Sequence, residues 1–257
     1  MVLLLDLGNT NLYIGVYHNG SLVSEYRTNS DVNKSSDEYV DIIRTFFIIN
    51  SIDPTKFKGA ILASVIPSLT QVLVRMVKKL INVDCMVVGK SLKTGLSIRI
   101  DNPNELGTDL VADSVGGKAK YGYPLLITDM GTATKILAID KNGNFVGCSI
   151  APGIKVSMMA LTKKSAQLMD IELVAPEKVI GKNSPDSLNS GSIYGNIAMV
   201  EGMNKMMEKE LGYPCKKVIT GGYANLIKEH LNKEFIHDKT LILEGLYQIY
   251  LKNGGVI

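Results

Sequence analysis

The sequence predicts an α/β protein made of two similar halves, each a mixed sheet flanked by helices. Runs of β-type residues alternate with segments of helical spacing, which is typical of sheets joined by helical crossovers. The opening segment also recurs without a gap at an offset of 123 residues, so that Asp6 aligns with Asp129 and Gly8 with Gly131. A later Asn-Gly pair and the apolar phase coincide as well, which favours duplication over chance.

The repeat divides the chain into a first half over residues 1–115 and a second half over residues 116–257. A cleft between two lobes is a usual place for a small ligand. We therefore expect the ligand site in the cleft between these halves.

The first half opens as strand, polar turn and hairpin. A short apolar run over residues 3–6 ends in the polar segment 8–11, and two β-type runs follow on either side of Asn19-Gly20, a typical two-residue hairpin turn. The pattern then predicts a helix over 36–50, a strand over 60–65, a helix over 67–82 and a strand over 85–88.

The second strand, turn and hairpin series follows one more helix. A polar segment over 101–109 precedes a helix that ends near Tyr121, and residues 125–129 begin the repeated series. A methionine-rich segment over 190–211 has helical spacing. Such a stripe is most often core, and the alternative is a surface for a second copy of the chain.

Composition and charge exclude several classes of protein. The net charge is only +3, the lysines are interleaved with acids and tryptophan is absent, which disfavours nucleic-acid binding. Three scattered cysteines give neither a disulfide framework nor a zinc motif. No apolar run approaches the ~20 residues of a membrane span, and the first residues lack the features of a signal peptide. We expect a cytoplasmic protein without membrane or nucleic-acid partners.

Each repeated strand ends in Asp-x-Gly followed by short polar residues. In the first turn, Gly8 lets the backbone approach a phosphate, and Asn9, Thr10 and Asn11 supply hydrogen-bond donors. Asp6 can hold Mg²⁺ through water, and the metal would neutralise charge during phosphoryl transfer. The first turn therefore predicts a site for the phosphates of a nucleotide.

The second turn contains Asp129, Gly131 and Thr132 and can do the same from the other half. A lone Asp-x-Gly is also an ordinary tight turn, but two at repeat-related positions favour phosphate binding. Neither of the commonest nucleotide signatures, the P-loop and GxGxxG, follows a strand. Gly221-Gly222 lie between a strand and a helix, where bare backbone would accommodate an adenosine, although such a pair alone is an ordinary turn.

Phosphoryl transfer to a hydroxyl benefits from a carboxylate that accepts the proton. Four acids in and beyond the polar segment are candidates: Asp101, Glu105, Asp109 and Asp113. Asp109 is the strongest, because Gly107-Thr108 precedes it at the start of a predicted helix, where backbone donors would lie beside the base. The alternative is that Thr108 or Asp109 only caps the helix.

Seven ordered motifs resemble those of the type III pantothenate kinases and cover essentially the whole chain. They are DLGNTN at 6–11, NPNELGTD at 102–109, DMGTAT at 129–134, IAPGI at 150–154, IGKNS at 180–184, SGSIYG at 190–195 and TGG at 220–222. The number and order of the motifs make the resemblance specific.

The resemblance implies a duplicated actin-like (ribonuclease H-like) fold, shared with acetate and sugar kinases, in which ATP lies in the cleft between the lobes. It implies ATP-dependent phosphorylation of pantothenate to 4′-phosphopantothenate, the first step of coenzyme A synthesis. It also implies Mg²⁺, a monovalent cation (K⁺ or NH₄⁺) and a homodimer.

Carried over onto matching positions, the resemblance makes Asp109 the general base and places Gly107, Thr108 and Asp109 along the pantothenate. Ser184 stands where the family usually has threonine and keeps a hydroxyl for the substrate. Thr132 would contact ATP, and Asp129 would ligate the monovalent cation. The first ATP loop would comprise Asp6, Leu7, Gly8, Asn9, Thr10, Asn11, Leu12 and Tyr13.

Three positions depart from the family pattern at or near the acceptor site. Leu110 replaces an arginine, Ile100 replaces a tyrosine, and Lys135 replaces the last threonine of GTATT. Loss of a charge-assisted hydrogen bond costs ~1.5–3 kcal/mol, or roughly 10- to 150-fold in affinity, so we expect weak pantothenate binding. Lys135 either supplies a compensating cation or, by β alternation, points away from the cleft.

The sequence leaves three hypotheses open. The first is an active pantothenate kinase, which the retained Asp6, Asp109 and Asp129 favour. The second is a kinase of the same fold for another small hydroxylated acceptor, with a pocket reshaped by Leu110 and Ile100. The third is a non-catalytic relative in which nucleotide binding sets a conformation that a protein partner recognises.

Overall fold

A computed structural model describes residues 1–163 and 171–256 of the chain. The chain divides into two units, each built on one mixed sheet. Unit 1 comprises Met1–Leu96, Asn102–Ala119 and Leu241–Ile257, and unit 2 comprises Ser97–Asp101 and Lys120–Thr240.

Unit 1 contains a five-stranded sheet in the order β3-β2-β1-β4-β5. Its strands are β1 (Val2–Leu7), β2 (Asn11–His18), β3 (Ser21–Asn29), β4 (Gly59–Ser64) and β5 (Cys85–Val87), and its helices are α1 (Ser36–Ile49), α2 (Pro67–Ile81), α3 (Thr108–Tyr121) and α7 (Leu241–Lys252). The first three strands form an antiparallel meander, and β4 and β5 continue the sheet in parallel with β1.

The central strand β1 is buried on both faces because helices cover each side of the sheet. Leu3, Leu5 and Leu7 project into a core formed with residues of α1 and α2. Leu4 points to the opposite face of the sheet, because successive side chains of a strand alternate between its two faces. On that face Gly15, opposite Leu4, packs against Leu243 of α7. The α1 helix begins with a capping box between Ser35 and Glu38, as its sequence favours.

Unit 2 contains a six-stranded sheet in the order β11-β10-β7-β8-β9-β6. Its strands are β6 (Ser97–Ile98), β7 (Leu125–Met130), β8 (Ala133–Ile139), β9 (Asn144–Pro152), β10 (Lys216–Thr220) and β11 (Phe235–His237), and its helices are α4 (Ile154–Lys163), α5 (Ser184–Leu211) and α6 (Ala224–Ile227). Ile193, Ile197 and Val200 of α5 lie in the core of this unit with Met130. For these positions the helical stripe is core, whereas Met206 farther along is exposed.

The two meanders reproduce the repeat that the sequence predicts. The strands β1 and β7 occupy positions offset by 123 residues and show the same burial pattern, in which only the aspartate is not fully buried. The predicted two-residue turn at Asn19-Gly20 is present with positive φ at both residues. The second hairpin closes differently, because the Asp140 carboxylate accepts hydrogen bonds from the backbone of Asn142 and Asn144.

The C-terminal helix α7 belongs to unit 1, whereas a division at residue 115 would place it with the second half. The physical reason is a close crossing with α3. A Cβ atom at Gly245 would lie 1.8 Å from the Ala112 carbonyl oxygen, and one at Gly116 would lie 2.3 Å from the Leu241 carbonyl oxygen. Only glycine allows two helix backbones to approach so closely.

The chain segments that leave and re-enter unit 1 are joined within unit 2. Asp238 accepts hydrogen bonds from the Lys120 ammonium, the Tyr121 hydroxyl and the Thr240 backbone. Burial opposes ionisation of Asp238, but these hydrogen bonds outweigh it and lower the pKa of the carboxyl group.

Among the described residues, none of the helices is both long and apolar enough to cross a bilayer.

The crossing of α3 and α7 predicts a sharp difference between two glycine substitutions. Gly245→Ala forces a methyl group into the α3 backbone, so we expect a loss of about 1–3 kcal/mol of stability and a thermal midpoint lower by about 3–10 °C. The control is Gly202→Ala in α5, where nothing lies within 4 Å of the added Cβ. Thermal unfolding of both variants checks this, and equal midpoints would contradict the close crossing.

Candidate active site

The first predicted phosphate turn joins β1 to β2 and is braced from outside. The Gly8 N–H donates to the Asn11 carbonyl oxygen at 3.0 Å. Ser30, beyond the end of β3, donates from its hydroxyl to the Gly8 carbonyl at 2.7 Å and from its N–H to the Thr10 carbonyl at 2.9 Å. Asn9, Thr10 and Asn11 are exposed at the apex, where a ligand can reach them.

Leu7, Leu12 and Tyr13 of the predicted ATP loop are buried. Their side chains belong to the packing of the sheet, so only their backbones are suited to contact a nucleotide. The Tyr13 hydroxyl donates to Glu25, and its ring packs 3.8 Å beneath the Arg27 guanidinium. Burial, with a smaller contribution from the Glu25 carboxylate, raises the pKa of Tyr13 far above its ordinary value.

The Gly107–Asp109 segment lies at the same end of the sheet as this turn. Thr108 begins α3, and its hydroxyl accepts a hydrogen bond from the Ser64 N–H at 3.1 Å and donates to the Ser64 carbonyl at 3.0 Å. Ser64 ends β4 and pairs with Leu7 of β1, one residue before Gly8. The structure therefore brings Asp6, the phosphate turn and the predicted base to the carboxyl ends of two adjacent parallel strands.

Asp109 is the best placed of the four candidate bases. Asp101 and Glu105 are exposed, and Glu105 accepts a hydrogen bond from Asn102. Asp113 is 2% exposed and faces the interior. Asp109 is half-buried in the first turn of α3, where the helix macrodipole stabilises a negative charge.

Gly107 leaves room for the Asp109 carboxylate. A Cβ atom at Gly107 would be 2.5 Å from Asp109 Oδ1, so the carboxylate folds back over the bare glycine backbone. The sequence motif placed Gly107 beside the predicted base. In the structure, the absence of a side chain at Gly107 leaves the space that the Asp109 carboxylate occupies. Sequence reasoning missed Ser64, which holds the adjacent Thr108.

The remaining acceptor-site residues differ in exposure. Leu110 is 6% exposed, and Ile100, in unit 2, is half-buried. Ser184 is exposed at the first position of α5, after the N-cap Asn183. Leu110 is therefore buried, and its side chain has no polar group to offer an acceptor.

The second phosphate turn, between β7 and β8, is held against the start of α4. The Gly131 N–H donates to the Ala133 carbonyl at 3.0 Å, and the Gly153 N–H donates to the Thr132 carbonyl at 3.0 Å. A Cβ atom at Gly153 would lie 2.4 Å from the Gly131 carbonyl oxygen. A helix N-terminus beside such a turn favours bound anions. Sequence reasoning missed the role of Gly153, although a glycine between a strand and a helix is a usable signal.

Gly221 packs directly on the base of this turn. It follows β10, which runs parallel to β7 and pairs Thr220 with Asp129. A Cβ atom at Gly221 would lie 2.5 Å from both Asp129 Oδ1 and the Met130 nitrogen, and its φ of 95° also requires glycine. Gly222 is exposed. The structure thus brings together Asp129, Gly131 and Gly221 within unit 2.

Lys135 points towards this site rather than away from it. It lies opposite Asp129 in the register of β7 and β8, and its Nζ is 2.7 Å from Asp129 Oδ2. The Lys135 and Asp129 side chains are 15% and 14% exposed. The cross-strand register therefore places the Lys135 side chain on the same face of the sheet as Asp129.

The residues at Asp129 do not fit an additional monovalent cation. One carboxylate oxygen contacts the Lys135 ammonium, and the other lies against Gly221. A second cation on the carboxylate would adjoin the first, and two like unit charges about 4 Å apart repel by about 4 kcal/mol at an effective dielectric constant of about 20. The residue opposite Asp6 in the first unit is the uncharged Tyr13.

The chain is similar to known proteins over almost its whole length. Residues 2–206 match the family model for type III pantothenate kinase. A type III pantothenate kinase from Exiguobacterium sp. strain AT1b is 40% identical over 253 residues, which cover 98% of this chain and 99% of that protein.

The chain belongs to the type III pantothenate kinase family. The resemblance drawn from the seven motifs is therefore confirmed. The family consists of ATP-dependent kinases. The departures at Ile100, Leu110 and Lys135 are therefore changes within a member of the family.

Solved structures confirm the predicted actin-like α/β fold. A candidate 2-dehydro-3-deoxygalactonokinase from Sinorhizobium meliloti superposes with a TM-score of 0.60 at 10% identity, over 96% of this chain and 95% of that one. A candidate Baf family transcriptional activator from Campylobacter jejuni superposes with a TM-score of 0.59 at 20% identity, over 99% of this chain and 100% of that one. At these identities the likeness concerns the fold alone.

The contact between Gly107 and Asp109 predicts a variant that folds but is catalytically impaired. Gly107→Ala displaces the end of a flexible side chain, so we expect little loss of stability but at least a tenfold lower kcat, because the carboxylate leaves its position. The control is Gly89→Ala, where nothing lies within 4 Å of the added Cβ. Thermal unfolding and kcat with saturating ATP check both variants. Full activity of Gly107→Ala would show that the Asp109 position is unimportant.

Proposed function

We propose that the chain transfers the γ-phosphoryl group of ATP to the hydroxyl of pantothenate, forming 4′-phosphopantothenate in the first step of coenzyme A synthesis. The observation that carries the proposal is the position of Asp109. A half-buried carboxylate lies at the start of α3, tied through Thr108 to the end of the strand beside the first phosphate turn. Membership of the kinase family over almost the whole chain supports the same reaction.

Asp109 acts as the general base in this proposal. As the acceptor oxygen attacks the γ-phosphorus, its proton passes to the Asp109 carboxylate, the new P–O bond forms, and the bond to the β-phosphate oxygen breaks to release ADP. Gly107 and Thr108 present backbone groups to the acceptor beside the base. The Thr108 hydroxyl is held by Ser64, so its part is to position the start of α3.

Nucleotide binding is assigned to the two turns. The backbone N–H groups and short side chains of Asn9, Thr10 and Asn11 suit the phosphates, and Gly131 and Thr132 provide an equivalent surface in unit 2. A Cβ atom at Gly131 would meet nothing closer than 3.7 Å, so the fold itself tolerates a side chain there. The bare backbone at Gly131 is therefore explained by the approach of a ligand, and Gly221-Gly222 suit the nucleoside.

The Asp6 carboxylate fits Mg²⁺ held through water, because it is a hard oxygen donor, partly exposed, at the base of the first turn. When bound, the ion neutralises charge on the β- and γ-phosphates.

Four expectations stay predictions from sequence: the location of ATP in an inter-lobe cleft, the homodimer, the cytoplasmic location and the absence of nucleic-acid partners.

A second candidate acceptor follows from the pocket residues. Leu110 is buried where the family pattern has arginine, so the carboxylate of pantothenate loses a planar cationic partner. A kinase of this fold acting on another small hydroxylated acceptor would suit such a pocket. Ser184 retains a hydroxyl for either acceptor.

The test is ADP release by the purified protein with ATP and Mg²⁺, with and without pantothenate. We expect pantothenate-dependent turnover with a high KM, and a decrease of about 10²- to 10⁴-fold in kcat for Asp109→Asn. The matched control is Glu105→Gln, which removes an exposed carboxylate from the same segment and is expected to leave kcat unchanged.

Three outcomes separate the hypotheses. Turnover that pantothenate stimulates and Asp109→Asn abolishes supports the proposal. Turnover stimulated only by another hydroxylated acceptor moves the assignment to the second candidate. Tight ATP binding without turnover on any acceptor would point to a non-catalytic relative read by a protein partner.

A further inference from the structure

The ion pair between Asp129 and Lys135 lies at the base of the second phosphate turn. The two residues face each other across β7 and β8, with Lys135 Nζ 2.7 Å from Asp129 Oδ2. Both side chains are mostly buried, and charged side chains are rarely buried unless they are paired. The ion pair therefore holds the positively charged Lys135 ammonium at a fixed position beside Asp129.

This position borders the backbone that the proposed function assigns to phosphate. Asp129 Oδ1 would lie 3.8 Å from a Cβ atom at Gly131 and 2.5 Å from one at Gly221. The start of α4 contacts the same turn through Gly153. An ammonium group here lies among groups that favour bound anions.

The first unit provides an internal comparison. Its corresponding aspartate, Asp6, lies opposite Tyr13, which is uncharged and donates its hydroxyl to Glu25. The two repeated turns thus share the acidic residue and the glycine but differ in the residue across the strand pair. A lysine opposite the aspartate is a feature of the second turn alone.

We propose that the Lys135 ammonium takes the place of a free monovalent cation at Asp129, so that this chain phosphorylates its acceptor without K⁺ or NH₄⁺. The proposal rests on the proposed function of the same site. A tethered ammonium carries the same unit charge as either ion, and it contacts the carboxylate that would otherwise ligate one. Lys135 is thus a positioning residue for Asp129 and the turn, and a source of permanent charge beside the phosphates.

The test compares salts at one ionic strength. Turnover and ATP affinity, the latter by titration calorimetry, are measured in KCl, NH₄Cl and choline chloride. We expect both quantities to agree within about twofold for the wild-type protein across the three salts. In Lys135→Thr we expect at least a tenfold loss of both in choline chloride and substantial recovery in KCl or NH₄Cl, because the vacated position can accept a small cation.

Two further variants control for charge and structure. Lys135→Arg keeps the positive charge and is expected to remain independent of K⁺. Lys141→Thr makes the same substitution as Lys135→Thr at an exposed lysine of the β8–β9 hairpin and is expected to behave like the wild type. Thermal unfolding establishes which variants are folded.

The outcomes are decisive with or without turnover. Stimulation of the wild-type protein by K⁺ of tenfold or more, in turnover or in ATP affinity, overturns the proposal. A folded Lys135→Thr that no cation restores also overturns it and leaves the pair a structural contact. If the wild type shows no pantothenate-dependent turnover, the proposed function fails, while calorimetry in the three salts still decides the role of Lys135.

Discussion

The site depends on one constraint, which is that each central strand has an antiparallel neighbour on one side and a parallel neighbour on the other. In unit 1, β1 lies between β2 and β4, and in unit 2, β7 lies between β8 and β10. The hairpin partner forces a tight turn at the carboxyl end of the central strand, and the parallel partner delivers a second loop to the same edge. Ligands of open α/β sheets bind at this edge for the same reason.

The parallel neighbour of the central strand positions different groups in the two units. In unit 1 the parallel neighbour ends at Ser64, which holds Thr108 and so the segment that carries Asp109. In unit 2 the parallel neighbour β10 is followed directly by Gly221, whose bare backbone contacts Asp129. The first unit thus combines the proposed phosphate turn with the proposed base, and the second combines the other proposed phosphate turn with a backbone surface and a fixed ammonium group.

Local features of the site were predictable from sequence. The apolar runs of β1 and β7, the Asp-x-Gly turns and the glycines at 221–222 are short-range patterns, and the structure places each where its pattern indicates. The seven motifs added the family, and the comparisons confirm it. The register of a tight hairpin was also accessible in principle, and it would have placed Lys135 opposite Asp129.

Contacts between distant parts of the chain were not predictable. The hydrogen bonds between Thr108 and Ser64 join residues 44 apart, and no local propensity specifies them. The crossing of α3 and α7 depends on two glycines, Gly116 and Gly245, that come together only in the folded chain. The return of the C-terminal helix to unit 1 therefore lay beyond periodicity and turn chemistry, because it follows from the packing of two backbones.

We propose above all that each of the two repeated turns binds phosphate groups of ATP. Hydrogen exchange of the full chain with and without Mg²⁺ and a non-hydrolysable ATP analogue tests it most directly. The account predicts slower exchange at the amides of residues 8–11 and 131–132, with the hairpin turns at 19–20 and 142–143 unchanged at the opposite ends of the same strands. Protection of one phosphate turn alone, or of neither, would contradict it.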